Sequence, residues 1–208
     1  MQFKVCGITN LEQANSLDTM GVQYIGFIFY PISKRFVLEK LSLQELASFK
    51  PKHAKKVGVF VNESIEKLLT IVKEAGLDMV QLHGDEDAEY CAIIEKLVPV
   101  IKVFRVGGVL PNFKPFEPIV SYFLFDTDSK MYGGTGQHFN WELLKNTQIP
   151  KPYFLSGGIG PNDEQGIKIM KQTIAGKTLD VLDLNSQFEI APGIKDVEKL
   201  KTFINVCI

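Results

Sequence analysis

Eight apolar runs, each followed by a stretch of helical character, fill the 208 residues at roughly 26 per unit, and this alternation limits the fold more than any other feature. The runs cover residues 3–7, 23–30, 56–61, 78–83, 100–105, 122–125, 152–156 and 179–185. Most are apolar at nearly every position rather than at alternate ones, which is how a strand reads when both of its faces are buried. Between them lie segments with helical spacing and end signals. Asn10 stands where it can cap a helix to residue 20, Asn62 before a helix over 64–75 that stops at Gly76, and Asn140 before a short helix over 141–145. Further helices are expected over 42–49, 88–97, from the glycines at 157–160 to about 174, and over 196–205. The fifth unit is the exception: a Gly-Gly pair and three prolines between Gly107 and Pro118 leave room for only a short or irregular helix. With all eight strands comparably apolar and no polar edge strand, the expected fold is α/β, a closed (β/α)8 TIM barrel formed by residues 1–208 as one domain. An open doubly wound sheet is the alternative, because strand order is not written in sequence.

Charge and cysteine usage narrow the function. Lys and Arg total 23 against 24 for Asp and Glu, a net charge of −1, so the chain has no electrostatic footprint for nucleic acid or an anionic membrane. A small-molecule partner is expected. Cys6, Cys91 and Cys207 show neither a CxxC pair nor metal-ligand spacing, which argues against a disulfide framework or a zinc site and for a reducing compartment. No basic-then-apolar leader opens the chain and no apolar stretch approaches membrane-spanning length, so the expectation is a soluble cytoplasmic protein.

In a barrel every strand's C-terminal end meets at one face, and residues far apart in sequence become neighbours there. Cys6, Arg35, His83, Asp126 and Asp183 all sit at or just beyond such ends. Asp126 closes the aromatic run of the sixth strand and leads into a loop containing Gly133, Gly134 and Gly136. A carboxyl leaving an apolar interior at a cleft can serve as a proton donor; it can equally cap a turn or pair with a lysine. Cys6 reads as a site thiol or as a small buried hydrophobe, and Arg35 as a site residue or a solvated loop charge. His83 is a ligand contact or a hydrogen-bonded structural residue, and Asp183 either binds a ligand hydroxyl or orients the last loop. Gly157, Gly158 and Ser186 flank the seventh and eighth strand ends, where barrels often hold phosphate through backbone N–H groups.

Ordered and spaced as they are, these pieces resemble the phosphoribosylanthranilate isomerase family of tryptophan biosynthesis. The likeness is carried by Lys4-Val-Cys-Gly-Ile-Thr9, Gly26-Phe-Ile-Phe-Tyr-Pro31 with Ser33-Lys-Arg35, Val57-Gly-Val-Phe-Val-Asn62 and Val80-Gln-Leu-His-Gly84. It continues through Asp126 with Tyr132-Gly-Gly-Thr-Gly136, Leu155-Ser-Gly-Gly158 and Pro192-Gly-Ile-Lys-Asp196. The resemblance implies an Amadori rearrangement of an aldose-type aminosugar phosphate to a ketose, with Asp126 as acid and Cys6 as base. It implies further that Arg35 holds the anthranilate carboxylate, for which a guanidinium fork has the right shape. Proton transfers and a Schiff base need no metal and no cofactor, and none is expected. The partner is a phosphorylated aminosugar; the chain is expected to work as a monomer, a homodimer being the alternative.

The chemistry asks for a carboxyl that holds its proton near neutrality and for a thiol whose ordinary value of about 8.5 is brought down. Lys4 shares a strand face with Cys6, two residues on, and is a candidate for favouring the thiolate. Two positions depart from the family pattern. Gln187 stands where a glycine is common, which makes a phosphate contact by Ser186 less secure than those of Gly157 and Gly158. Asn140 stands where aspartate is common; both cap helices. Two other readings compete: a related histidine-pathway isomerase, which uses two aspartates where this chain has Cys6 and Asp126, and a non-catalytic phosphometabolite-binding barrel.

Overall fold

A computed structural model describes residues 1–128, 139–173 and 179–207. The elements, in order, are β1 (Gln2–Val5), α1 (Leu11–Thr19), β2 (Tyr24–Ile28), α2 (Leu43–Ser48), β3 (Lys55–Phe60), α3 (Ile65–Ala75), β4 (Met79–Leu82), α4 (Ala88–Glu95), β5 (Val100–Val106) and β6 (Tyr122–Thr127). They continue with α5 (Glu142–Lys145), β7 (Tyr153–Leu155), α6 (Glu164–Thr173), β8 (Leu179–Leu184), a hairpin of β9 (Glu189–Ala191) and β10 (Ile194–Lys195), and α7 (Val197–Cys207). Strands β1 to β8 close into one parallel barrel in sequence order. The closing seam pairs Phe3 with Leu182 and Val5 with Leu184, which removes the open-sheet alternative.

The unbroken apolar character of the strands follows from that closure. Tyr24, Val57, Met79, Ile101, Leu124, Phe154 and Val181 point inward and pack as a floor across the barrel. Their neighbours Ile25, Val80, Val100, Phe123, Leu155 and Leu182 point outward into the layer beneath the helices. A strand of period two sandwiched between two apolar layers is apolar at most positions. Buried exceptions such as Lys56 and Lys102 are paired, the first with the carbonyls of Leu46 and Ala75 and the second with the Gly84 carbonyl and Glu86.

Local chemistry sets the helix ends. The Asn10 side chain accepts from the backbone N–H groups of Glu12 and Gln13, Ser42 and Glu45 form a reciprocal capping box on α2, and Gly76 ends α3 in the left-handed region. Asn62 does not cap α3. Ser64 does, accepting from Lys67, whereas Asn62 itself has φ 49 and accepts from the Asp85 N–H at 2.7 Å. It thus ties the loop after β3 to the loop after β4. Asn140 does accept from the Glu142 N–H at 3.0 Å, although α5 is only one turn long. The fifth unit carries a 3-10 turn, Lys114–Phe116, in place of an α-helix. The β9–β10 hairpin was expected only as a loop. It forms because Gly193, at φ 84, turns the chain back so that Ala191 pairs with Ile194.

Candidate active site

Two residues beyond the floor, the same inward faces turn polar. Met79 is followed by Gln81 and then His83, Leu124 by Asp126, Phe154 by Ser156, and Val181 by Asp183 and Asn185. These side chains line one cavity of about 480 Å³ at the C-terminal mouth of the barrel. Cys6, Arg35, His83, Asp126, Gly157, Gly158, Asp183 and Ser186, all singled out by sequence, lie on its wall. Ile28, Tyr30, Ile32, Val59, Val61 and Ile159 give it an apolar side, suited to an aromatic ring. The loop 132–136, named above as part of the resemblance, lies outside the described residues.

Cys6 follows the end of β1 and is held by its N–H, which donates to the Leu184 carbonyl at 2.9 Å. A Cβ on Gly26, in the adjacent strand, would stand 2.8 Å from Cys6 Sγ; the absence of a side chain there makes room for the thiol. Lys4 is fully buried and donates to both carboxylate oxygens of Asp183, at 2.9 and 3.0 Å. Burial alone would lower the Lys4 pKa, but Asp183 and Cys6 outweigh it and leave it raised. For Asp183 burial dominates and raises the pKa against the pull of Lys4. The Cys6 thiol is likewise pushed up, chiefly by burial and further by Asp183, with Lys4 and Lys195 pulling the other way. Lys4 thus does favour the thiolate, as the shared strand face suggests, but burial outweighs it and leaves the Cys6 pKa above its ordinary value.

Arg35 reaches across from the loop after β2 to Glu189 at the start of β9. Its Nε donates at 2.8 Å and its Nη2 at 2.6 Å, a two-pronged ion pair. Glu189 also accepts from Lys195 Nζ at 2.7 Å and from the Gly193 N–H at 3.0 Å. Lys195, 1 % exposed, donates a second bond to Asn185 Oδ1 at 2.7 Å. Burial lowers its pKa to about 8 despite Glu189. The hairpin therefore positions the guanidinium at the cavity wall.

Asp126 is 6 % exposed, and its Oδ1 accepts from the Thr127 N–H at 2.8 Å. Its Oδ2 lies 3.3 Å from His83 Nε2. Behind His83, the Gln81 amide nitrogen stands 3.0 Å from Nδ1. On the far wall Gly157 and Gly158 take φ of 91 and 77, so the chain after β7 turns in a conformation that side chains resist. Ser186 opens a 3-10 turn through Phe188. Gln187 adopts no positive φ; among the described residues Asn62 is the one non-glycine that does. The Gln187 side chain lies outside the cavity wall, where a Cβ on Gly160 would meet its Cβ and Cγ at 3.4 Å. A glycine is thus not required at 187.

Gln81, Glu189 and Lys195 were not anticipated as site residues. Gln81 had a readable signal, two residues before His83 on the same strand face. Lys195 lies within the quoted stretch Pro192-Gly-Ile-Lys-Asp196. Among the described residues no group of three or more His, Cys, Asp or Glu stands where it would hold a metal, and no helix is long and apolar enough to cross a membrane.

Comparison with known proteins adds a second line of argument. Residues 3–206 match the family model described as N-(5'phosphoribosyl)anthranilate (PRA) isomerase. A curated N-(5'-phosphoribosyl)anthranilate isomerase from Parabacteroides distasonis is 39 % identical over 208 residues, covering 98 % of this chain and 92 % of the relative. The crystal structure of phosphoribosyl anthranilate isomerase from Thermus thermophilus superposes with a TM-score of 0.82 at 28 % identity, covering 99 % of this chain and 98 % of that one. A second structure, a phosphoribosyl anthranilate isomerase in complex with reduced 1-(o-carboxyphenylamino)-1-deoxyribulose 5-phosphate, gives a TM-score of 0.76 at 30 % identity, with 100 % and 98 % coverage.

Proposed function

The chain belongs to the N-(5'-phosphoribosyl)anthranilate isomerase family, and on that premise we propose that its cavity performs the Amadori rearrangement with Asp126 as general acid and Cys6 as general base. The reaction turns N-(5-phosphoribosyl)anthranilate into 1-(2-carboxyphenylamino)-1-deoxyribulose 5-phosphate, a step of tryptophan biosynthesis. Asp126 protonates the furanose oxygen while the anilino nitrogen's lone pair opens the ring, leaving a cationic Schiff base. That cation acidifies the neighbouring C2′ proton, which the Cys6 thiolate removes. The electrons move onto the nitrogen, and the resulting enolamine tautomerises to the ketone. Hydrogen is redistributed within the substrate and nothing is oxidised overall, so no redox partner enters the balance.

The observation that carries this reading is that the first-strand thiol and the sixth-strand carboxyl share the wall of a single cavity. Its other walls fit the rest of the substrate. Arg35, fixed by Glu189, is the proposed partner of the anthranilate carboxylate; the apolar residues take the ring; Gly157, Gly158 and Ser186 take the phosphate. Asp183 serves mainly to hold Lys4 beside the thiol. All these residues line one cavity of the chain.

The test is a coupled assay on freshly generated phosphoribosylanthranilate, followed through loss of its fluorescence. Turnover is expected, with Cys6→Ser and Asp126→Asn each slower by at least about 10²-fold in a folded protein. Rates within a few-fold of the parent for either variant refute the assignment.

A further inference from the structure

Gln81 and His83 form a pair whose polar atoms are not fully used. Gln81 lies on β4, 1 % exposed, and His83 just beyond it, 9 % exposed. Both line the cavity. The Gln81 amide nitrogen faces His83 Nδ1 at 3.0 Å. An amide nitrogen has hydrogens to give and no lone pair to offer, so Nδ1 must accept and the neutral ring's hydrogen must sit on Nε2. With the amide turned over, its oxygen would require a hydrogen on Nδ1, and the Nε2 lone pair would then oppose the Asp126 carboxylate.

Two atoms then remain buried without a hydrogen-bond partner, Gln81 Oε1 and His83 Nε2. The latter lies 3.3 Å from Asp126 Oδ2 but is not aligned for a hydrogen bond to it. A buried polar atom left unpaired is destabilising, so a fold that keeps two of them side by side in a cavity wall has a use for them. One is an acceptor and the other, by the tautomer argument, a donor.

We propose that Gln81 and His83 form a hydroxyl-recognition subsite for the sugar. Gln81 Oε1 accepts the hydrogen of one ligand hydroxyl, and His83 Nε2–H donates to the oxygen of that hydroxyl or its neighbour. An alcohol both donates and accepts, so it satisfies the pair where a carboxylate, an ether or an ammonium satisfies only half. The site lies beside Asp126, so it orients the ribose chain with respect to the proposed acid. Gln81 thereby acts both as a ligand contact and as the residue that fixes the His83 tautomer. The inference rests on the proposed sugar phosphate ligand, but its tautomer component can be read without any ligand.

The first measurement is the 15N spectrum of the histidine rings in ligand-free protein, with His83→Asn identifying the His83 signals among the three histidines. At a pH where the ring is neutral, the parent should carry the His83 hydrogen on Nε2. Gln81→Met should lose that preference, and Gln81→Glu, which turns an acceptor toward Nδ1, should move hydrogen to Nδ1. An Nδ1–H tautomer in the parent, or a tautomer unchanged in both variants, overturns the proposal. The second measurement is calorimetric binding of the reduced product analogue and of versions lacking one hydroxyl at a time. For at least one hydroxyl, deletion should weaken binding to the parent about tenfold and to Gln81→Met no more than about twofold. Equal losses in both proteins for every hydroxyl mean that water fills the subsite, and the proposal fails. Thermal unfolding of each variant separates these effects from loss of fold. A parent that neither turns over phosphoribosylanthranilate nor binds the analogue refutes the proposed function instead, and the tautomer result then decides the pair on its own.

Discussion

Cys6 can remove a proton only after giving one up, and its surroundings hold that first proton in place. Burial is the largest influence and Asp183 adds to it, while Lys4 and Lys195 work against both. A thiol whose pKa is raised is protonated at neutral pH, and its thiolate fraction grows as pH rises. Two rates should therefore climb together through neutrality and above: kcat/KM for the isomerisation, and alkylation of Cys6 by iodoacetamide. A kcat/KM flat across that range while alkylation rises would mean that the thiolate is not the base. Arg35 gives a second expectation at this scale. Its fork is already two-pronged toward Glu189, and only a planar guanidinium can keep that pair and still present N–H groups to a ligand carboxylate. Arg35→Lys should raise KM about tenfold or more with a smaller change in kcat; an unchanged KM places the carboxylate elsewhere. Both residues were legible in sequence because strand ends in a barrel must meet. The Lys4 shared face was legible too, but not its partner: Asp183 lies 179 positions away, and no period along the chain reveals which buried charge takes the other. The same holds for Lys195, whose bonds to Glu189 and Asn185 exist only because the last loop folds into a hairpin.

Elements are joined by a few side chains whose work is to occupy stray backbone groups. Asp18, near the end of α1, accepts from three consecutive N–H groups, of Lys52, His53 and Ala54, at 2.8, 2.9 and 2.8 Å. It thereby anchors the turn that leads into β3. Burial would raise its pKa, but the three backbone bonds and the His53 charge outweigh that and lower it. Its stabilising effect is complete above the ordinary aspartate range, about pH 4, and is lost as pH falls through the depressed folded value. Asp18→Asn keeps the shape but exchanges charge-assisted bonds for neutral ones and opposes an NH₂ to at least one donor. It should cost about 2 kcal/mol at pH 7, with the difference from the parent narrowing as pH falls below 4 in urea titrations run at several pH values. A constant difference would assign the loss to packing. Asn62 teaches the converse about reading helix ends from sequence. Asparagine before a helix fits a cap, but Ser64 stood closer, and Asn62 bridges two loops instead. Cap chemistry gave the right helix and the wrong residue.

Across the whole molecule the inward faces change character with height: an apolar floor, then the polar cavity wall. The floor has no chemistry to perform, and closure makes every strand depend on both neighbours, so damage there should be felt as stability rather than as catalysis. Strand order was the part of the fold that sequence could not supply; comparable hydrophobicity in all eight strands argued for closure, and the β1–β8 seam completes it. Phe154 sits at the centre of the floor, edge-on to Tyr24 at 5.1 Å and to Tyr122 at 5.6 Å, fully buried. Phe154→Ala leaves a cavity that the ring of strands cannot close without shifting its register, and should cost about 3–5 kcal/mol. For a chain of this length that lowers Tm by roughly 10 °C, in one transition still common to circular dichroism and tyrosine fluorescence, with kcat at 25 °C within about threefold of the parent. Leu97, 66 % exposed, is the control, and Leu97→Ala should stay within about 0.5 kcal/mol. If Phe154→Ala abolished turnover while Tm held, the floor would be part of the active site and the division of the barrel by height would be wrong.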